Sequence, residues 1–362
     1  MQNKNNKKIK VLVAMSGGVD SSVAAALLVS QGYQVTGVFV VNYEEENTTD
    51  IKCWTGDYQD ALRVAAHIGI PLVRWDFKKE YKKNVLDYMY AEYRLGRTPN
   101  PDVLCNKFIK FGAWLAKATA LGFDKLATGH YAKIGGQLAK SKNSTIKLLQ
   151  AKDDNKDQTY FLHQLNQGQL AYTLFPLGNY TKPQVRKLAQ KFGLPNAEKE
   201  ESMGICFIGE VPMKEFLMKE IKTKKGDIML SSGEKIGEHD GLSFYTIGQR
   251  SLGIKTDLNR PLYVVDKKEN TNTVVVGYED DPLLYKKEVE IDDINWVAEQ
   301  EPVFPLVCQV RLRHRQSLQK VVVDKQDKKI MLKFAESQRA ITPGQFAVFY
   351  KKNECLGGGV VK

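Results

Sequence analysis

The chain has 362 residues, of which 43% are hydrophobic and 26% are charged. This composition is typical of a globular protein, and at about 150 residues per domain the length predicts two or three domains. No apolar run approaches the roughly 18 residues that a membrane-spanning helix needs, and the basic residues 1–8 lack the apolar core of a secretory signal. We therefore expect a cytoplasmic protein that does not enter a membrane.

The positive charge is concentrated in two zones. The chain carries 53 Lys and Arg against 42 Asp and Glu, a formal net charge of +11. Residues 1–206 hold 28 basic and 19 acidic side chains, and residues 302–339 hold nine basic and three acidic ones. A field of this sign favours polyanions such as nucleic acid or nucleotides, but Lys-rich solvated faces would give the same totals.

Strand and helix patterns alternate through the first part of the chain. A β-branched run at 9–15, a helical pattern at 19–30 and a second run at 35–41 form a βαβ unit, which implies a parallel sheet. From residue 210 onward, short β-rich segments are separated by Gly, Asp and Asn. The sequence therefore predicts an α/β fold with three parts: a doubly wound parallel-sheet nucleotide-binding domain over residues 1–206, a small central β-rich domain over 207–280, and a C-terminal β-barrel over 281–362.

Three local predictions accompany this organisation. Residues 162–192 have a helical pattern, with a helix start at Lys182-Pro183. The segment 244–247 is predicted to be a strand. The alternation of Arg311, Arg313 and Arg315 would place three guanidinium groups on one face of a strand, which suits contact with phosphates but also plain solubility.

The strongest local motif lies between the first strand and the first helix. It reads Ala14-Met15-Ser16-Gly17-Gly18-Val19-Asp20-Ser21-Ser22. Its glycines allow a tight turn and close approach of a ligand, its serines offer hydroxyls, and the helix beginning near Val19 points its amides at the turn. This pattern favours a phosphate cradle, although a Gly-Gly turn can also simply begin a helix.

The segment 16–21 resembles the pyrophosphate loop, or PP-loop, of the ATP pyrophosphatases. Enzymes of that superfamily split ATP between its α and β phosphates and adenylate an oxygen of the substrate. The resemblance implies a PP-loop domain that uses ATP. The loop alone does not choose among the ligases and the RNA-sulfurating enzymes of the superfamily.

A second motif, residues 96–107, is rich in proline and contains a thiol. It reads Gly-Arg-Thr-Pro-Asn-Pro-Asp-Val-Leu-Cys-Asn-Lys. We expect Pro99 and Pro101 to keep this segment in an ordered loop, with a helix beginning near Asn106. Cys105 would then lie at a helix amino terminus, where its thiolate is favoured, although a buried Cys in a Pro-rich turn would look the same.

The remaining motifs complete a family resemblance. Cys206 lies in Gly204-Ile-Cys-Phe-Ile-Gly209, which taken alone is an ordinary strand pattern. Together with residues 96–107 it closely resembles the tRNA-specific 2-thiouridylases. Further motifs of that family follow in order at residues 127–131, 155–161, 174–178, 237–242, 245–250, 340–345 and 355–359. The resemblance covers essentially the whole chain.

This resemblance implies an enzyme that uses ATP and a persulfide sulfur to thiolate C2 of the wobble uridine of tRNA. Cys206 would carry the persulfide, Cys105 would be the second catalytic thiol, and Asp102 would be the general acid/base. A transient disulfide between Cys105 and Cys206 would follow sulfur transfer, or Cys105 would instead liberate hydrogen sulfide that attacks C2. The other cysteines are expected only to pack: Cys53, Cys308 and Cys355.

The same resemblance implies the binding residues and the partners. ATP would be held by Ala14, Met15, Ser16, Gly17, Gly18, Val19, Asp20, Ser21, Val40 and Gly129. The target base would be surrounded by Asn100, Pro101 and Asp102. The tRNA would also contact His130, Lys156, Asp157, Gln158, Arg313, His314 and Gln345. Mg²⁺ is expected with ATP, without an assigned ligand. The partners would be the anticodon arm of tRNA and a sulfur-relay or cysteine desulfurase protein that donates the persulfide.

Three positions depart from the family pattern, and two other functions stay open. Val40, Met203 and His314 stand where relatives often have Met, Thr and Tyr, which affects nucleotide and RNA contacts more than reaction type. One alternative is a different ATP pyrophosphatase that acts on a small carboxylate or amide. The other is a non-enzymatic RNA-binding protein that keeps the loop as scaffold.

Overall fold

The computed structural model describes residues 4–44, 54–136, 145–201, 208, 212–250, 260–327 and 329–362. In these residues the strands are, in chain order, β1 (Lys10–Ala14), β2 (Gln34–Val41), β3 (Leu72–Asp76), β4 (Lys125–Ala127), β5 (Lys133–Gly135), β6 (Lys147–Leu149), β7 (Thr173–Leu174), β8 (Gly226–Leu230), β9 (Lys235–His239), β10 (Tyr263–Lys268), β11 (Thr273–Gly277), β12 (Tyr285–Trp296), β13 (Leu306–Arg311), β14 (Gln319–Gln326), β15 (Lys329–Arg339), β16 (Phe346–Lys351) and β17 (Glu354–Val361).

The helices of the same residues are α1 (Val19–Ser30), α2 (Thr55–Ile68), α3 (Lys78–Tyr81, Lys82–Leu86 and Asp87–Arg94), α4 (Pro101–Leu104, Cys105–Trp114 and Leu115–Ala120), α5 (Thr159–Leu162), α6 (Gln167–Ala171), α7 (Lys182–Lys191) and α8 (Met213–Met218). The middle segments of α3 and α4 have π-helical hydrogen bonding. Short 3₁₀ turns lie at Lys4–Lys8, Leu242–Phe244 and Pro282–Leu284. None of these helices is long and apolar enough to cross a membrane.

The first part of the chain forms the predicted parallel sheet, with strand order β3-β2-β1-β4-β7. Val11, Leu12 and Val13 of β1 are fully buried, because one core cluster packs on each face of the sheet. The strand order changes direction at β1, which pairs in parallel with both β2 and β4. The carboxyl ends of β1 and β4 therefore form the crevice where doubly wound sheets bind ligands, and the predicted fold class is confirmed.

The start of α4 differs from the prediction. We expected an ordered loop through Pro101 and a helix from near Asn106, but the helix begins at Pro101 itself. Proline is favoured at the first helical position, where its missing N–H is not needed, and Asn100 before it is extended. Cys105 therefore lies a full turn inside the helix, and the expected position of its thiol at the helix amino terminus is wrong.

The pattern predicted helix throughout residues 162–192, but the segment is only partly helical. Two short helices, α5 and α6, are followed by β7, which pairs in parallel with β4, and only then by α7. After β7 the chain turns at Gly178, where a Cβ would lie 2.0 Å from the carbonyl oxygen of Ala132. This close backbone approach requires glycine and interrupts the helical pattern.

The central part of the chain forms a four-stranded sheet of order β10-β11-β8-β9. Ile228, Val264, Val274 and Val276 are fully buried in a small core of its own. The predicted strand at 244–247 is wrong, because Leu242–Phe244 forms a 3₁₀ turn and the N–H of Thr246 donates to the side chain of Gln249 instead of to a neighbouring strand. Strand β9 was not predicted.

The carboxyl-terminal strands close into the predicted barrel. Their order is β12-β15-β14-β13-β16-β17, and β12 pairs again with β17. The same sheet continues into β6 and β5 of the first part of the chain, since β6 pairs antiparallel with β17 and β5 with β6. The barrel sheet therefore contains three strands that the sequence pattern did not indicate, β5, β6 and β17.

Arg311 joins the barrel to the first part of the chain. Its guanidinium lies 3.4 Å from the carboxylate of Asp157, and both side chains are buried. Asp157 also accepts hydrogen bonds from the hydroxyl of Thr159 (2.7 Å) and from the N–H of Ala151 (3.0 Å). The chain leaves the sheet after Arg311, so the prediction of three arginines on one strand face is wrong.

We expect Asp157→Ala to destabilise the protein by about 3–5 kcal/mol, because it leaves the buried guanidinium of Arg311 without its carboxylate. Chemical denaturation followed by circular dichroism measures the change. Asp324→Ala, which removes the partly exposed partner of Lys333 (2.8 Å), is the matched control and should change stability little. A similarly small effect of both variants would contradict the structural role of Asp157.

Candidate active site

The turn between β1 and α1 forms a cradle. Gly17 has a left-handed backbone (φ +77°), and a Cβ there would lie 2.2 Å from the carbonyl oxygen of Asp57, so only glycine fits. The hydroxyl of Ser21 donates to the carbonyl of Gly18 (3.0 Å) and accepts from the N–H of Ser16 (3.2 Å). Gly18, the N-cap of α1, has no side chain to cover the first-turn amides, which therefore face the cradle and suit an anion.

Two further residues hold this cradle in place. Asn196 is buried, and its Nδ2 donates to the carbonyl of Gly17 (2.8 Å) and to the hydroxyl of Ser22 (3.0 Å). Gly129, just beyond β4, lies so close that a Cβ would be 2.9 Å from the backbone nitrogen of Ser21. The structure thus brings together the two segments predicted to bind ATP, residues 14–21 and Gly129, at the crevice of the sheet.

A network of charged side chains borders the cradle. The sequence alone did not predict it. Lys182, whose side chain is 12% exposed, donates to both carboxylate oxygens of Asp20 (2.7 and 2.8 Å) and lies 2.9 Å from the carboxylate of Glu201. Tyr131 also donates to Asp20 (2.9 Å), and Lys156 forms a second ion pair with Glu201. Lys182 and Asp20 are 162 positions apart, so no local signal could have paired them.

These contacts determine the protonation states of the side chains that border the cradle. Burial alone would raise the pKa of Glu201, but hydrogen bonds from Lys156 and Lys182 outweigh it and lower the pKa to about 2. Burial, and then the neighbouring Asp20, raise the pKa of Tyr131 well above its ordinary value, so its hydroxyl stays a donor. Lys182 can exchange a carboxylate partner for a phosphate, because both accept charge-assisted hydrogen bonds.

Asp102, Cys105 and Asn106 share one face of α4. The Nδ2 of Asn106 donates to the carbonyl oxygen of Asp102, one turn earlier (3.0 Å), and to that of Phe161 in α5 (3.3 Å). Cys105 is fully buried and belongs to the same core cluster as Val40, near the end of β2. The structure therefore brings the predicted acid/base, the predicted thiol and the predicted nucleotide contact Val40 to one side of the sheet.

The residues before α4 are held by the two other parts of the chain. The N–H of Thr98 donates to the carbonyl of Pro343 (3.0 Å), and its carbonyl accepts from the Nε2 of Gln345 (2.8 Å). The hydroxyl of Thr98 also lies 3.1 Å from that of Thr246 in the central sheet region. Gln345, predicted to contact tRNA, thus holds the segment that leads into α4.

Two other residues predicted to contact tRNA lie beside α5. The ring of His314 is half-buried, 4.4 Å from the ring of Phe161, and burial, followed by nearby arginines, lowers the pKa of His314 to about 4. Arg313 donates to the carbonyl of Ile247 (2.9 Å) and to the hydroxyl of Thr342 (2.7 Å). His314 therefore borders α5, whereas Arg313 joins the barrel at Thr342 to the central part of the chain at Ile247.

The remaining predicted tRNA contacts are more enclosed. His130 is buried against two phenylalanines, and burial lowers its pKa, so the ring is neutral. Asp157 is the buried partner of Arg311, and Gln158 accepts from the N–H of Tyr131 (2.9 Å). The ammonium of Lys156, in contrast, is partly exposed at the border of the cradle.

Two curated relatives match this chain over almost its full length. The tRNA-specific 2-thiouridylase MnmA of Streptococcus sanguinis is 46% identical over 364 residues, which cover 99% of this chain and 96% of the relative. The protein of the same name from Legionella pneumophila is 47% identical over 363 residues, which cover 98% and 99%. The chain belongs to the tRNA-specific 2-thiouridylase family.

Three family models match successive parts of this thiouridylase-family chain. They are described as a tRNA methyl transferase HUP domain (residues 9–210), a tRNA methyl transferase PRC-barrel domain (214–278) and an aminomethyltransferase beta-barrel domain (286–361). We keep 1–206, 207–280 and 281–362 as the proposed domain limits.

Some of the residues discussed for this family are not described by the structure. Among the cysteines and the departures from the family pattern, these are Cys53, Met203 and Cys206. The persulfide on Cys206 and its disulfide with Cys105 therefore stay predictions. No disulfide joins any two of the three described cysteines. Burial raises the pKa of Cys308 to about 12 and raises that of Cys355 as well, so both thiols stay protonated at neutral pH.

We expect Lys182→Met to raise the KM for ATP about 10- to 100-fold, because a hydrogen bond from a charged group contributes about 1.5–3 kcal/mol. The KM for tRNA should change little. Lys187→Met, on the exposed face of the same helix, is the control and should leave both values unchanged. Diphosphate release at varied ATP measures the effect. A KM for ATP equal to that of the control would show that Lys182 does not bind phosphate.

Proposed function

We propose that this chain catalyses the ATP-dependent 2-thiolation of the wobble uridine of tRNA, giving 2-thiouridine, AMP and diphosphate. Family membership supports this activity. The observation that carries the mechanism is that Asp102 and Cys105 share one face of α4, and that Cys105 packs on the parallel sheet whose strand β1 ends in the phosphate cradle. A base bound between them meets both an activating and a sulfur-transferring group.

The first step activates the C2 oxygen of uridine. This oxygen attacks the α-phosphorus of ATP, and diphosphate leaves with the electrons of the broken P–O bond. A poor leaving group is thereby converted into AMP. The first-turn amides of α1, the hydroxyls of Ser16 and Ser21 and the ammonium of Lys182 would hold the phosphates.

The second step transfers sulfur. The terminal sulfur of a persulfide on Cys206 adds to C2, the C2–O bond breaks, and AMP leaves with the electron pair of that bond. The thiolate of Cys105 then attacks the Sγ of Cys206, and the electrons of the broken S–S bond pass to the sulfur on the base. The resulting Cys105–Cys206 disulfide needs a thiol reductant before the next turnover. If Cys105 instead liberates hydrogen sulfide, the same residues act, with Asp102 as general acid/base in either case.

The proposed partners follow from the chemistry. A wobble base already lies in the single-stranded anticodon loop, so turning it out of the stack costs little. The positive zones of residues 1–206 and 302–339 suit the phosphates of the anticodon arm. A sulfur-relay or cysteine desulfurase protein would load the persulfide in the cytoplasm, where a reducing environment keeps the other thiols unpaired.

Mg²⁺ is proposed to accompany ATP. No group of three His, Cys, Asp or Glu side chains in the described parts of the chain forms a metal site. This is compatible with a nucleotide-bound ion, because Mg²⁺ takes most of its ligands from phosphates and water and needs only one or two protein carboxylates. No step of the mechanism is assigned to the ion.

We expect the purified protein, with ATP, Mg²⁺ and a persulfide donor, to replace one oxygen by sulfur in a tRNA with wobble uridine. Mass spectrometry of the digested nucleosides measures this. Cys105→Ser and Cys206→Ser should each lower the rate at least about 1,000-fold, as removal of a nucleophile does. Cys308→Ser is the matched control and should keep the activity.

Three outcomes would overturn this assignment. Full activity of both Cys105→Ser and Cys206→Ser would exclude the persulfide mechanism. A gain of the mass of a methyl group would make the protein a methyltransferase. ATP turnover that a small carboxylate or amide stimulates, and that tRNA does not affect, would make it a ligase of the wider superfamily.

A further inference from the structure

Asn106 has a hydrogen-bond acceptor that the fold does not use. The residue is 2% exposed, and its Nδ2 is committed to the carbonyl oxygens of Asp102 and Phe161. Its Oδ1 is buried and has no hydrogen-bond partner in the described parts of the chain. A buried acceptor without a partner costs about 1–3 kcal/mol and is uncommon in native proteins, so the arrangement calls for a ligand that donates.

The direction of this oxygen is fixed by the chemistry of its neighbours. Both partners of the Asn106 amide are carbonyl oxygens, which only accept, so the NH₂ group must face them. A flipped amide would bring three oxygens together without a proton between them. The Oδ1 therefore points away from Asp102 and Phe161, while the residue stays on the face of α4 that carries Asp102 and Cys105.

We propose that the Oδ1 of Asn106 accepts the N3–H of the target uridine and so selects uridine against cytidine. The proposal rests on the proposed thiolation of a wobble uridine. Both pyrimidines present the same C2 carbonyl, which is the reacting group, but at N3 uridine carries a donor and cytidine a lone pair. An acceptor that cannot rotate attracts the first and repels the second.

Two neighbouring observations support this role. Asn100, at the start of the same helix, also has a buried Oδ1 without a partner in the described residues. The acceptors of Asn100 and Asn106 thus lie on either side of Asp102 in the sequence, as expected for a site completed by a ligand with several donors. Cys105 is as deeply buried as Asn106 and precedes it directly in the helix, so a base that reaches the thiol also comes within reach of Oδ1.

Two substitutions test the acceptor. Asn106→Ala removes the donors and the acceptor, whereas Asn106→Asp keeps the acceptor and one donor, because its buried carboxyl stays protonated where it faces the carbonyl oxygens of Asp102 and Phe161. Dissociation constants are measured for the full-length protein and two tRNA transcripts that differ only in a wobble U or C. We expect the wild type to bind the U form at least about 10-fold more tightly, the Ala variant to lose this preference, and the Asp variant to keep it.

The control is Asn196→Ala, because Asn196 is also buried with two donated bonds, but at the phosphate cradle. It should weaken ATP binding and leave the preference for U over C unchanged. An equal preference for U over C in the wild type and the Ala variant would show that Asn106 only links α4 to α5 by hydrogen bonds. An equal loss in the Ala and Asp variants would show that the acceptor does not set the preference and would overturn the proposal. Because binding is measured without turnover, a failure of sulfur transfer would be seen separately, in the thiolation assay.

Discussion

The position of the thiol depends on a short piece of extended chain in front of α4. The backbone of Thr98 is bonded on both sides to the barrel turn at 343–345, and its hydroxyl reaches the central part of the chain at Thr246. Pro99 and Pro101 fix φ on either side of Asn100, so little freedom is left between this clamp and the first turn of the helix. All three parts of the chain therefore determine where Asp102 and Cys105 lie relative to the phosphate cradle.

The cradle is held in a different way. Neutral hydrogen bonds from Ser21 and Asn196 fix its backbone, and the charges lie around its border. Lys182 is shared between Asp20 and Glu201, so its charge is balanced before a nucleotide arrives. We propose that an arriving polyphosphate replaces one of these carboxylates as the partner of Lys182.

The sequence predicted the parallel sheet, the barrel and the phosphate cradle, because apolar periodicity and glycine spacing are local signals. The start of α4 was missed because a proline marks either a loop or the first helical position, and the clamp on Thr98 decides between them. Lys182 and Arg311 were missed as partners of Asp20 and Asp157 because each ion pair joins distant segments. Strands of three residues, such as β5, are too short to show an alternating pattern.

The addition of β5 and β6 to the barrel sheet has a consequence for how the chain assembles. Leu148 of β6 is fully buried and pairs with Cys355 of β17, near the other end of the chain. During synthesis β6 leaves the ribosome long before β17 exists, and its hydrogen-bonding edge has to wait for the last strand. Completion of the barrel is therefore a late, long-range event that closes a large loop of chain. A fragment ending before β17 would keep an apolar strand edge open, which is the kind of edge through which chains aggregate.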